Sequence, residues 1–92
     1  MSDRIRAHVV VGGFPAGKHA GHDMDYARVQ LLTRLQQHHH VHATVGGDFT
    51  DCDKWIADCQ LLITYVAGPY ADDDQAAMLE DWLADGGRWL AL

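Results

Sequence analysis

Two histidines stand three residues apart in a glycine-rich loop of this 92-residue chain, His19 and His22 in GGFPAGKHAGHD. Imidazole titrates close to neutral pH, so His22 can exchange a proton with a bound ligand or hold the loop by bonding backbone carbonyls. Asp23 follows, suited either to touch a ligand or to cap the next helix. Phe14, His19, His22 and Asp23 are therefore candidate ligand-binding residues. His19 and His22 share spacing suited to a metal, but no third ligand stands near them, so no metal is expected. Lys18 is followed by His19 rather than Ser or Thr, and the loop is not G-x-G-x-x-G, so it does not read as a phosphate cradle. No cofactor is expected. A G-x-S-x-G elbow is absent too, and no catalytic residue is assigned.

The elements that must position this loop follow from hydrophobic patterning. Ala7-His8-Val9-Val10-Val11, stopped by Gly12-Gly13, suits a central parallel strand covered on both faces. Met24, Ala27, Leu31, Leu32 and Leu35 repeat at helical spacing, predicting a helix from Met24 to about His39. Val41 to Val45 reads as a second strand, Cys52 to Ala57 as a short helical turn, and Leu61 to Val66 as a third, buried strand. Asp72 with Gln75 has capping-box spacing at the start of a last helix, whose apolar stripe is Met78, Leu79, Trp82 and Leu83. Gly86-Gly87 ends that helix, and Arg88 to Leu92 forms a fourth strand. This order implies a single α/β domain over residues 1–92, with a doubly wound parallel sheet, two main helices and a short helical turn. No helix follows the fourth strand, so the chain reads as the N-terminal part of a larger domain, incomplete at its C-terminal end. The alternative is a small domain completed by an oligomeric partner.

Other chemistry-bearing residues have simpler roles. Cys52 and Cys59 are expected to be free thiols, and their acidic surroundings oppose a nucleophilic thiolate. His38, His39 and His40 point in different directions at a helix end and cannot easily converge on one ion. Asp72, Asp73 and Asp74 suit the positive end of a helix dipole. The net charge of -6 argues against a nucleic-acid or anionic-membrane partner, and no apolar run approaches the ~20 residues of a membrane span. The N-terminus lacks a signal-peptide pattern, so a cytoplasmic setting is expected.

The segments GKHAGHDMDYAR, DCQLLITYV and DWLADGGRWLAL resemble the ThuA-like (trehalose-utilisation) family, over nearly the whole chain from about Ile5 to Leu92. The resemblance implies a class I glutamine-amidotransferase-like, flavodoxin-like fold. His22, Asp23, Asp25, Tyr26 and Arg28 match the family's loop-and-helix motif, whereas His19 falls in its variable part. In the family the last strand runs on into a histidine-containing turn, at the place where true amidotransferases carry a cysteine. This sequence stops before that position, and neither Cys52 nor Cys59 corresponds to that nucleophile. With strand order 2-1-3-4, the loop of His22 should face Tyr65, Gly68 and Pro69 across the switch point. Tyr65 and Gly68 join the candidate ligand-binding residues, and Arg28 is expected to pair with Asp25.

Two functions are expected from this reading. One is a ThuA-like domain that binds a small polar, sugar-like ligand at the carboxyl ends of strands one, three and four. The other is a non-catalytic structural or interaction domain on the same scaffold. The 92-residue chain is expected to be inactive alone and to self-associate through its exposed last strand, forming a homo-oligomer.

Overall fold

Two parallel ladders meet on β1 (Ile5–Gly12). The strand pairs with β2 (Val41–Gly46) on one side and β3 (Leu61–Val66) on the other, and β4 (Arg88–Ala91) extends the sheet from β3. The order β2-β1-β3-β4, all parallel, is the doubly wound α/β arrangement expected from the sequence. The computed structural model describes residues 5–12, 24–66 and 70–92, without the side chains of residues 24 and 25. The connections are α1 (Met24–Gln36), α2 (Cys52–Trp55) and α3 (Asp73–Ala84).

The unbroken apolar run of β1 is explained by helices on both of its faces. Val9, Val11 and Ile63 point toward α1, where Ala27, Leu31, Leu32 and Leu35 pack on them. Val10 and Leu62 point the other way, into a cluster of Phe49, Cys52, Ile56, Cys59 and Leu79 beneath α2 and α3. Alternation along a strand therefore serves two apolar layers rather than one layer and water.

Helix ends show where local signals agree with the fold and where they do not. Asp72 and Gln75 form the reciprocal capping box, with Gln75 N donating to Asp72 Oδ1 at 2.8 Å and Asp72 N donating to Gln75 Oε1 at 2.9 Å. Gly86 follows α3 at φ +107°, a conformation that favours a residue without Cβ. The first helix is shorter than its periodicity suggests and stops at Gln36. His38 and His40 are exposed residues beyond the helix, and their carbonyls accept from Val41 N (2.9 Å) and Ile5 N (2.7 Å). The His38 bond closes a local turn into β2, and the His40 bond joins β1, a partner that a longer helix would not give. The short helical turn likewise ends at Trp55 rather than Ala57.

β4 bonds to β3 along one edge, and it is exposed throughout. Leu90 and Leu92 are 50% and 61% exposed. Among the described residues no helix is long and apolar enough to cross a membrane.

Candidate functional site

The chain winds outward from β1 to β2 on one side and from β3 to β4 on the other, so the carboxyl ends of β1 and β3 form the natural crevice of this sheet. Val11 pairs with Tyr65 and Gly12 with Val66 at that end. Tyr65 is half-buried and packs beside the Val9, Val11 and Ile63 cluster. Arg28, on the second turn of α1, donates from Nη2 to the Val11 carbonyl at 3.0 Å. A guanidinium thus ties the second turn of α1 to the end of β1. The expected Asp25 partner of Arg28 lies outside the described side chains. Phe14, His19, His22, Asp23 and Gly68 also lie outside the described residues, so Tyr65 alone of the candidate ligand-binding residues is placed at this edge.

The neighbouring strand end is tightly closed. A Cβ on Gly12 would lie 2.1 Å from the Gly47 carbonyl oxygen, so only glycine lets β1 and the turn after β2 approach this closely. Beyond that turn the Asp48 carboxylate accepts from Thr50 N at 2.9 Å. Side-chain and backbone hydrogen bonds from Thr50 hold its pKa below the ordinary carboxylate range.

A second polar group sits within the sheet itself. His8 is 6% exposed, stacked face to face on Trp55 with ring centroids 4.1 Å apart. Its Nδ1 shares a 2.6 Å hydrogen bond with Thr44 Oγ1, whereas Nε2 is buried without a hydrogen-bond partner. Burial disfavours the imidazolium and lowers the His8 pKa from 6.5. A cavity of about 140 Å³ adjoins this ring. Sequence reading passed over His8 as one residue of an apolar strand, yet a titratable side chain inside such a run was the available signal.

Cys52 and Cys59 are buried free thiols. Burial first, then the Asp53 and Asp72 charges, raises the Cys52 pKa, and burial raises that of Cys59 against opposing backbone hydrogen bonds from His8 and Leu61. Both stay protonated and unreactive at neutral pH. Among the described residues no three His, Cys, Asp or Glu side chains gather into a metal site.

No family model, curated protein or solved structure matches the chain.

The described residues at the carboxyl edge offer a phenol, a fixed guanidinium and strand-end backbone groups. Those suit hydrogen bonding to a polar molecule. They contain no activated nucleophile.

Proposed function

We propose that this chain is a ThuA-like domain that binds a small polar, sugar-derived ligand at the carboxyl ends of β1, β3 and β4. The observation that supports this most is the strand order β2-β1-β3-β4, which puts a switch point where Tyr65 and the Arg28–Val11 anchor lie. In this reading His22 and Asp23 contact the ligand, with Phe14, His19, Tyr65 and Gly68 around it. The domain works in the cytoplasm, in carbohydrate utilisation. Titrating the labelled chain with trehalose and with glucose, read by amide chemical shifts, tests it. Saturable shifts at Gly12, Tyr65 and Val66 that His22→Ala weakens are the expected result. Shifts spread evenly over the surface, or none at millimolar sugar, would sink it.

A second reading is favoured by β4, which leaves one edge and two leucines exposed. Here the domain is a non-catalytic interaction module that forms a homo-oligomer by pairing β4 with β4 of a second copy about a two-fold axis. Arg88 N donates to the carbonyl of Gln60, just before β3, and Leu92 N to that of Thr64 in β3, so the amides of Trp89 and Ala91 face the open edge. Ala91→Pro removes one outward donor without touching the β3 ladder. Sedimentation of the two proteins decides the matter: the reading expects a dimer that the proline converts to monomer, and a monomeric parent chain excludes it.

A further inference from the structure

The cavity beside His8 lies toward the amino ends of β1 and β2, away from the crevice proposed for the sugar, and it shares no residue with that crevice. Ala7, His8 and Trp55 supply its inner wall, and Arg6, Lys54 and Asp58 are exposed around it. Three features of this cavity point to the same kind of occupant.

The first is charge. Arg6 and Lys54 outnumber Asp58 at the cavity, although the chain carries a net charge of -6. An acidic protein thus concentrates cations at one concave site. Lys54 has only a loose contact with Asp51, 3.6 Å between exposed side chains, so its ammonium is not held away from a better anion. Arg6 adds a planar fork suited to the two oxygens of a carboxylate. The second feature is size. The volume of about 140 Å³ compares with the roughly 150 Å³ of a cavity that admits one benzene ring. The third is the wall. The indole of Trp55 and the methyl of Ala7 are apolar, and the His8 ring stacks on that indole with centroids 4.1 Å apart. Because burial keeps the imidazole neutral, the positive charge of the site belongs to the exposed Arg6 and Lys54.

We propose that this cavity binds a small organic anion, a carboxylate carried on an apolar body no larger than a single ring. The ring occupies the space beside Trp55 and Ala7, and the carboxylate meets Arg6 and Lys54. Inorganic phosphate shares the charge but lacks the apolar body, and a neutral amide shares the body but lacks the charge.

The test uses the whole 92-residue chain with sodium benzoate, benzamide and inorganic phosphate as probes. The reporters are the amides of Ala7, His8 and Thr44 and the Trp55 indole N–H, which donates to the Thr50 carbonyl at 3.0 Å. Benzoate is expected to shift these signals saturably, and both benzamide and phosphate to bind at least about tenfold more weakly, a difference of about 1.4 kcal/mol. The double variant Arg6→Gln, Lys54→Gln changes two exposed side chains, so its β3 and α3 signals should remain in place. It is expected to weaken benzoate about tenfold while leaving benzamide unchanged. Equal binding of benzoate and benzamide, phosphate binding as tight as benzoate, an insensitive double variant, or shifts that never saturate would each overturn the proposal. Because the sugar titration is read at Gly12, Tyr65 and Val66, either site can fail while the other stands.

Discussion

The rings of His8 and Trp55 lie 4.1 Å apart and within 20° of parallel, so an imidazole from the central strand is sealed beneath an indole from α2. The contact joins residues 47 positions apart in the chain, and it makes His8 both a packing element and a titratable group.

That burial has a pH signature. The folded-state pKa of His8 is depressed below 6.5, so the unfolded chain binds this proton first as pH falls. The stability held by neutral His8 is therefore complete above pH 6.5 and is lost below it, down through the folded-state pKa. Urea midpoints compared at about pH 7.5 and about pH 5.5 should drop more for the parent chain than for His8→Leu. Exposed histidines are common to both proteins and cancel in that comparison. Identical slopes would show that burial of His8 does not control the titration.

The approach of Gly12 to Gly47 predicts a sharp asymmetry between two neighbouring glycines. A methyl group on Gly12 meets a backbone oxygen at 2.1 Å, which cannot yield as a side chain would, whereas one on Gly47 meets nothing within 4 Å. Gly12→Ala should cost about 1–3 kcal/mol, as overpacking does. Gly47→Ala should stay within about 0.5 kcal/mol, as exposed substitutions do. Chemical denaturation of the pair measures both.

At the other end of the fold, the capping box carries the start of α3. Asp72→Ala removes the acceptor for Gln75 N and should destabilise the chain by about 1 kcal/mol, while Asp72→Asn should retain most of that. Thermal melts of the three proteins distinguish the cap from a charge effect. If Asn is as damaging as Ala, the carboxylate's charge rather than its geometry is what matters.

The two thiols offer a reading of the core as a whole. Cys52 and Cys59 are buried, with pKa values raised by that burial, so a disulfide reagent should modify both slowly in the native chain. The rate should rise steeply across the urea transition. Rapid native labelling of either cysteine would mean that the apolar layer beneath α2 and α3 opens without global unfolding.

Much of this architecture was legible in the chain itself. Glycine pairs mark the ends of β1 and β2, and the apolar runs of β1 and β3 announce strands buried on both faces. The capping box is written within four residues, Asp72 to Gln75, and it forms as the spacing implies. These signals are local, governed by backbone geometry and side-chain periodicity, and so they can be read without knowing what lies across the molecule.

Contacts between distant residues were another matter. Helical periodicity continued α1 toward His39, but α1 stops at Gln36 and the His40 carbonyl bonds to Ile5, thirty-five positions back at the start of β1. Arg28 reaches the Val11 carbonyl, seventeen positions back along the chain, a contact that no local spacing announces. His8 stood in plain view within the first strand, but Thr44, Trp55 and the cavity beside them come together only when β1, β2 and α2 pack. Sequence alone determined which segments become strands and helices, because that depends on near neighbours. Tertiary structure decided which polar groups are buried and what they meet, because desolvation and hydrogen-bond partners depend on packing from every side.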